Sequence, residues 1–435
     1  MAIRKKMPNF VSVHGKQTIM QLEKYSFGVG DRFAQQGEAQ LKAIIKAKKH
    51  GVSFVPVWNK SNREHQIIHS SPADTRKEAN AATAALNWSD AYYVDADHIN
   101  LDTVDSFIEH SDFFTLDVAD YIGGKVSAED IELFLEISKS FVGNLVIPGI
   151  DEPFKITKEE LKRIAGKFLG AVKEAAAIYK HIAAAKGEGN FIAEVSMDEV
   201  ENPQTPAELF FILQMISHYK IPAQTIAPKF TGRFNKGVDY VGDAEQFRKE
   251  FEQDLLVIDH AIKTFGLPFN LKLSVHSGSD KFTIYPIMGE LIRKYDKGIH
   301  VKTAGTTWLE EVIGLAMSGG EALEMAKKIY SIAFKRQDEL CGPYSTVIDI
   351  DPTTLPLPAE IEHWNGEKFA ATLRNIPGQP DYHPGFRQLI HVGYKVAAEM
   401  GDDYLDMVKN NSAVVGEQVM INIYERHLCR LFNLQ

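Results

Sequence analysis

Short apolar runs alternate with longer amphipathic stretches along most of this chain, and this alternation constrains its fold more than any other feature. Apolar runs of about five to eight residues have the length of buried strands, and amphipathic stretches between them are typical of helices covering a parallel sheet. The predicted strands are 25–30, 52–58, 92–99, 113–116, 190–196, 224–229, 271–276 and 298–303. The predicted helices between them include 35–50, 74–86, 103–110, 207–218, 244–265, 283–295 and 309–336.

Eight strand–helix units over roughly 300 residues match the size and number expected of a TIM-type (β/α)8 barrel, an α/β fold. A doubly wound open sheet is the alternative, and it would require that some of these strands are miscounted. Helical patterns at 128–141 and 158–185 predict a helical insertion after strand 4. We therefore expect an N-terminal lead-in over 1–24, a barrel catalytic domain over 25–336, and a mostly helical C-terminal extension over 337–435 that packs on the barrel.

Charge and cysteine content limit the partners and the compartment. A formal net charge of −10 leaves no basic excess, so we expect neither nucleic acid nor an anionic membrane as a partner. No uncharged apolar run reaches the length of about 18 residues that a transmembrane helix needs. The basic residues 1–6 precede a polar stretch, and Cys341 and Cys429 lack metal-like spacing, so a cytoplasmic protein is expected. Homo-oligomer formation stays open.

Polar and charged side chains follow the predicted strands at their carboxyl ends. In barrels of this type the carboxyl ends of the strands and the loops after them form the active site. Each side chain taken alone can equally be a paired structural group, but their joint placement predicts one site. The candidates are Asp31, Arg32, Asn59, Lys60, Asp95, Asp97, His98, Asp117, Glu194, Lys229, His276, Asp280, Lys281 and Lys302.

Histidines among these strand ends predict a metal. His98 and His276 end strands three and seven, and His300 lies within strand eight on the same face as Lys302. Imidazoles that converge with carboxylates suit a divalent metal cation such as zinc, manganese or nickel. The alternative for each histidine is a hydrogen-bonded core or surface residue.

Two carboxylates are the candidates for proton transfer. Asp97 and Glu194 lie on different predicted strands, and different surroundings can give such a pair different pKa values, as general base and general acid require. Their alternative role is to hydrogen-bond a ligand histidine or to cap a helix, and Asp95 is the residue most suited to that supporting role.

A positive pocket is expected around the same strand ends. The turn after strand seven, HSGSDK at 276–281, offers hydroxyls and backbone N–H groups that suit a sugar hydroxyl, a carboxylate or a phosphate. Several lysines and arginines, Arg63 among them, favour a small anionic molecule as substrate, although each can instead pair with a neighbouring acid. The expected substrate-binding residues are Arg32, Asn59, Lys229, Ser277, Asp280, Lys281 and Lys302.

Seven motifs occur in the order SFGVGDR at 26–32, DADH at 95–98, EVSMDE at 194–199, KGVDY at 236–240, HSGSDKF at 276–282, HVKTAG at 300–305 and RQLIHV at 387–392. In these motifs the chain resembles the tagaturonate epimerase family, the tagaturonate/fructuronate epimerases of hexuronate catabolism. The Asp-His pair and the HSGS turn are also similar, more distantly, to metal-dependent class II aldolases.

The resemblance implies a metal-dependent barrel enzyme, an isomerase that inverts C4 of a ketohexuronate and converts D-tagaturonate to D-fructuronate. It implies Asp97 as proton acceptor, Glu194 as proton donor, and His98 and His276 as metal ligands. We assign His300 as the third ligand.

The hydrogen on C4 of a 2-ketose is not α to the ketone, so its direct removal would leave an unstabilised carbanion. Cleavage and re-formation of the C3–C4 bond, a retro-aldol/aldol sequence, avoids this problem because a metal can stabilise the enediolate. Two other functions stay open: a class II-type aldolase or other epimerase acting on a related sugar acid or sugar phosphate, and a non-catalytic sugar-acid-binding barrel.

Overall fold

The computed structural model describes residues 10–13, 17–303, 305–344, 347–376 and 378–434. The strands are β1 Phe10–Val13, β2 Gln17–Met20, β3 Tyr25–Val29, β4 Val55–Ser61, β5 Tyr93–Ile99, β6 Phe113–Asp117, β7 Gly143–Leu145, β8 Phe154–Ile156, β9 Ile192–Ser196, β10 Thr225–Ala227, β11 Lys272–Val275 and β12 Ile299–Thr303. The helices are α1 Gly37–Lys49, α2 Asn62–Ile68, α3 Pro72–Ala85, α4 Ala128–Ser138, α5 Lys158–Lys186, α6 Pro206–His218, α7 Ala244–Phe265, α8 Tyr285–Lys294, α9 Thr306–Ser318, α10 Gly320–Lys335, α11 Gln337–Cys341, α12 Pro358–Ile361, α13 Gly366–Leu373, α14 Pro384–Val392, α15 Tyr394–Met400, α16 Asp402–Asn410, α17 Ser412–Ile421 and α18 Cys429–Phe432. A π-helical segment, Asn422–Leu428, joins α17 to α18.

Eight parallel strands close into a barrel in the order β3-β4-β5-β6-β9-β10-β11-β12, and β12 pairs with β3 to complete the ring. This closure confirms the predicted (β/α)8 barrel and excludes the open sheet. All eight predicted strands occur, with ends shifted by a few residues. The register places Lys302 of β12 beside Gly28 of β3, and Asp97 of β5 beside Ser61 of β4.

The barrel interior is apolar at one end and charged at the other. Alternate residues of a strand point to the same side, so Tyr93, Asp95 and Asp97 of β5 all belong to one face. Tyr93 packs with Phe113, Ile192 and other apolar residues near the amino ends of the strands. Above this apolar layer the buried interior residues are polar, which predicts function at the carboxyl ends of the strands.

The insertion between β6 and β9 contains helices α4 and α5, as predicted. Between them β7 and β8 form an antiparallel hairpin that the sequence did not predict. Each of its strands has three residues, too few for an alternating pattern to be recognised.

Two helix predictions were wrong. Over 103–110 the structure has only a 3₁₀ turn, Val104–Ser106, because the side chains of Asn100 and Thr103 hydrogen-bond to nearby backbone groups and compete with the helix. The single helix predicted over 309–336 is two helices, α9 and α10. Gly319 and Gly320 separate them, both with positive φ, at 71° and 52°.

Residues after α10 pack against the barrel helices. Helix α17 contacts both α9 and α1, and the ring of Phe432 lies 4.7 Å from that of Tyr25 and 4.8 Å from that of Phe54. Helices α9 and α10 share a buried apolar cluster with α13 and α14. The domain boundaries proposed at 24/25 and 336/337 stay predictions. Over the ranges given above, the structure contains no helix that combines the length and apolar character of a membrane span.

Candidate active site

A cavity of about 260 Å³ opens at the carboxyl ends of the barrel strands. Nine of the predicted site residues line it: Arg32, Asn59, Arg63, Asp97, His98, Asp117, His276, Ser277 and Lys302. Eight others lie outside its wall: Asp31, Lys60, Asp95, Glu194, Lys229, Asp280, Lys281 and His300. The barrel therefore brings together side chains from β3, β4, β5, β11 and β12 or from the loops that follow them.

The end of β5 explains how two consecutive residues reach one cavity. Neighbouring residues of a regular strand point to opposite faces. The pairing of β5 with β6 shifts register between Ala96 and Ile99, and His98 has a left-handed φ of 54°. This irregularity lets the side chains of both Asp97 and His98 line the cavity.

Three side chains offer ligand atoms to one point: His98, Asp198 and His276, whose candidate atoms all lie within 4.8 Å of one another. Nδ1 of His276 is 3.0 Å from Oδ1 of Asp198, and Nε2 of His98 is 3.6 Å from the same oxygen. Nε2 of His98 is buried and has no hydrogen-bond partner in the parts of the chain that the structure describes. Two imidazoles and one carboxylate suit a divalent transition metal, so the residues fit the predicted ion.

His300 does not belong to this group. It is buried within β12, where its Nδ1 lies 2.9 Å from Oγ of Ser26 and its ring lies 5.2 Å from that of Phe113. Burial lowers the pKa of His300 to about 3, so the imidazole is neutral.

Glu194 lies directly behind His276. Its Oε1 is 2.6 Å from Nε2 of His276, the geometry of a carboxylate that orients a metal-binding imidazole. Burial opposes the charged form of Glu194, but Lys302 and His276 hold the pKa of its carboxyl well below its usual range. Its second oxygen, Oε2, has no hydrogen-bond partner among the described residues.

Lys302 holds three carboxylates together inside the barrel. Its Nζ lies 2.6 Å from Asp97, 2.7 Å from Asp95 and 3.4 Å from Glu194, and it donates a 2.6 Å hydrogen bond to Thr115. A Cβ on Gly28 would lie 3.1 Å from Cα and 3.2 Å from Cγ of Lys302, so glycine at this position makes room for the lysine. All four charged side chains are buried.

The network gives its carboxyls different pKa values. Burial favours the protonated form of Asp97, yet Lys302 and His98 hold its pKa well below the usual range. Burial, together with the charges of Asp97 and Glu194, raises the pKa of Asp95 to about 7 against the effect of Lys302. Asp97 is therefore ionised at neutral pH, whereas Asp95 is the carboxyl able to hold a proton.

We expect Lys302→Met to lower the free energy of unfolding by about 3–5 kcal/mol, because it leaves buried carboxylates without their cation. Urea denaturation at neutral pH measures this change. Lys328→Met, on the exposed face of α10, is the matched control and should change it by less than about 0.5 kcal/mol. Equal stabilities of the two variants would contradict the prediction.

Two other predicted cations, Arg32 and Lys281, have partners within the protein. Nε of Arg32 lies 3.0 Å from Glu64, and its guanidinium carbon lies 3.7 Å from the centre of the Tyr394 ring. Nζ of Lys281 donates to the carbonyls of Asn235, Val238 and Ser279 at 2.7–3.0 Å.

Two more predicted substrate-binding residues lie away from the cavity. Asp280 pairs with Arg387 at 2.7 Å. Lys229 lines a neighbouring cavity of about 530 Å³.

Sequence reasoning missed several residues of the cavity wall, among them Asp198, Lys236 and Tyr344. Asp198 had a signal, since it follows strand five four residues after Glu194. Lys236 lies in the loop after β10 and Tyr344 in a 3₁₀ turn after α11, far from any strand end. Lys236 had a signal as the first residue of the KGVDY motif at 236–240, whereas no local pattern places Tyr344 at the barrel mouth.

Polar side chains clustered at the carboxyl ends of a closed, eight-stranded parallel barrel are typical of TIM-barrel enzymes, and this chain is an enzyme of that class. The family model described as tagaturonate epimerase matches residues 3–429. The chain belongs to the tagaturonate epimerase family, which confirms the resemblance found in its motifs and makes it an isomerase.

Similar proteins agree with this assignment. The tagaturonate/fructuronate epimerase of Thermotoga maritima is 27% identical over 379 residues, which cover 85% of this chain and 72% of that protein. A glycerol complex of the fructuronate-tagaturonate epimerase from Cohnella laeviribosi has a TM-score of 0.79 at 19% identity, covering 96% of this chain and 83% of the other. Its native crystal structure has a TM-score of 0.77 at 19% identity, with coverages of 95% and 82%. At this identity the two crystal structures support the fold.

Proposed function

We propose that this enzyme interconverts D-tagaturonate and D-fructuronate by inverting C4 in a metal-dependent retro-aldol/aldol reaction. The observation that carries the proposal is the position of Asp97 in the cavity wall. One of its oxygens lies 2.7 Å from Nδ1 of His98 and 2.6 Å from Nζ of Lys302, so an ionised carboxylate adjoins the histidine–aspartate group. The family and its named relatives support the choice of substrate.

His98, Asp198 and His276 are the residues that would hold the divalent cation, with zinc, manganese and nickel as candidates. When bound, such a cation supplies Lewis-acid polarisation of a carbonyl oxygen. Glu194, 2.6 Å behind His276, orients that imidazole.

Asp97 acts as the general base. It takes the proton of the C4 hydroxyl as the C3–C4 bond breaks, and the electron pair of that bond passes to C3, next to the C2 carbonyl. Its low pKa keeps it ionised and ready to accept the proton at neutral pH. The aldehyde formed at C4 then turns its other face to C3, and the bond forms again with inverted configuration.

The resemblance implied Glu194 as proton donor, but its carboxyl lies outside the cavity wall, and against the effect of burial Lys302 and His276 hold its pKa well below the usual range. Asp97, which holds the proton taken from the C4 hydroxyl, therefore returns it to the C4 oxygen when the bond re-forms. Burial raises the pKa of Asp95 to about 7, so this carboxyl is partly protonated at neutral pH. Oγ1 of Thr115 lies 3.0 Å from Asp95 and 3.2 Å from Glu194, so its hydroxyl links the two carboxyls.

Metal-loaded protein is expected to convert tagaturonate to fructuronate, and EDTA-treated protein is expected to form none until a divalent cation is restored. Chromatography of the reaction mixture separates the two acids. Accumulation of three-carbon fragments without fructuronate would identify an aldolase instead. Equal conversion before and after chelation would contradict the metal requirement.

We place this reaction in the cytoplasm. Cys341 and Cys429 are both free thiols, which supports a reducing compartment. The partner is then a small anionic sugar, and a homo-oligomer stays an open possibility for the enzyme.

A further inference from the structure

Two cationic side chains of the cavity wall, Arg63 and Lys236, have no acidic partner among the described residues of the protein. Lys302 is bound by three carboxylates, and Arg32 is paired with Glu64. Arg63 and Lys236 line the same cavity, and neither forms an ion pair with an acidic side chain in the described parts of the chain. They are therefore free to bind an anionic group of the substrate.

Tyr344 brings these two cations together. The guanidinium carbon of Arg63 lies 5.1 Å, and Nζ of Lys236 lies 5.4 Å, from the centre of the Tyr344 ring. The Tyr344 hydroxyl lies 3.0 Å from that of Tyr394, whose ring stacks on Arg32. The two tyrosines thus contact three cations, Arg63, Lys236 and Arg32. Their positive charge is complementary to a sugar carboxylate.

Hydrogen bonds from a buried lysine hold the backbone near Lys236. Buried Lys281 donates hydrogen bonds to the carbonyls of Asn235 and Val238, on either side of Lys236. Lys236 therefore extends from an anchored loop, which lowers the entropy cost of holding a ligand there.

We propose that Arg63 and Lys236, supported by Tyr344, bind the C6 carboxylate of the ketohexuronate and retain the carboxylate-bearing fragment while the C3–C4 bond is broken. This inference rests on the proposed function. Cleavage divides the six carbons into C1–C3, which keeps the bonding electron pair, and C4–C6, an aldehyde that carries the carboxylate. Only the second fragment has to turn, so an epimerase has to hold it at the carboxylate end.

The position of Arg63 and Lys236 also suits retention of the aldehyde fragment. Arg63, Lys236 and Tyr344 line both the 260 Å³ cavity and the neighbouring 530 Å³ cavity. They lie at the boundary between the two, where a bound carboxylate keeps the aldehyde from leaving the first cavity for the second.

The test uses the metal-loaded variants Arg63→Gln and Lys236→Gln with tagaturonate and with tagatose, which has a hydroxymethyl group in place of the carboxylate. We expect kcat/KM for tagaturonate to fall about 10- to 100-fold, the loss of a charge-assisted hydrogen bond, while that for tagatose is unchanged. Released 2-hydroxy-3-oxopropanoate and dihydroxyacetone should rise relative to fructuronate, because a loosely held fragment escapes.

The matched control is Arg233→Gln. Arg233 lines only the neighbouring cavity and pairs with Asp349 at 2.9 Å, so the same change of charge should alter kcat/KM less than twofold. Calorimetric titration of metal-free protein with tagaturonate gives a second readout that needs no turnover, and both variants should bind it about tenfold more weakly.

The outcomes separate the two proposals. If the wild-type protein forms no fructuronate from tagaturonate, the proposed function fails. If it does, but both variants keep its preference for tagaturonate over tagatose, bind tagaturonate as tightly and release no fragments, the carboxylate site is overturned and the epimerase stands.

Discussion

Asp97→Asn is expected to lower kcat for tagaturonate about 10²- to 10⁴-fold at saturating metal, and to weaken metal binding by no more than about 10- to 100-fold through loss of the partner of His98. The amide has the size of the carboxylate but cannot accept the C4 hydroxyl proton. Lys302 keeps Asp95 and Glu194 as partners, so the barrel interior loses one carboxylate rather than its cation. The loss should therefore appear in turnover and not in folding.

Steady-state kinetics at saturating tagaturonate, with metal content measured by elemental analysis, test this expectation. Asp120→Asn is the control, because Asp120 is exposed just after β6 and the change of charge is the same. A kcat for Asp97→Asn within tenfold of the wild-type value, with the metal bound, would assign the base to another residue.

Asp198→Asn is expected to weaken metal binding more than about 100-fold, since loss of an outer partner of a ligand alone costs about 10- to 100-fold. Its carboxylate lies within 4.8 Å of the candidate ligand atoms of His98 and His276. An amide oxygen is neutral and a poorer ligand for a divalent transition metal. Activity at limiting metal should fall with the affinity.

The matched variant is His300→Gln, which tests the third ligand expected from the sequence. His300 is neutral, so this change removes no charge, and Gln is able to keep a hydrogen bond to Ser26. We expect it to retain metal after gel filtration, whereas Asp198→Asn loses it. The opposite result would restore His300 as a ligand.

Much of this protein was predictable from local sequence. Eight apolar runs and the helices between them predict a parallel sheet covered by helices, and their number favours a closed barrel over an open sheet. The polar residues after these runs identified one face as the site, including Asp97, His98 and His276. Family motifs along the same stretches indicated the reaction.

Tertiary structure decided which of these polar residues meet. His300 precedes Lys302 by two residues, which places it about 6–7 Å deeper along its strand, among Ser26 and Phe113. Asp198 lies on the loop after β9, and its carboxylate is within 4.8 Å of the candidate ligand atoms of the two histidines. Depth along a strand and the path of a loop depend on the stagger between neighbouring strands, which no single segment encodes.

The sequence by itself predicted the barrel, the face of the site and the types of side chain present. Only the folded chain decided their partners: Lys302 and Arg32 neutralise acids of the protein, whereas Arg63 and Lys236, beside Tyr344, have no acidic partner among the described residues. The physical reason is that a charge is free or paired according to its neighbours within about 4 Å. Those neighbours come from segments far apart in the sequence.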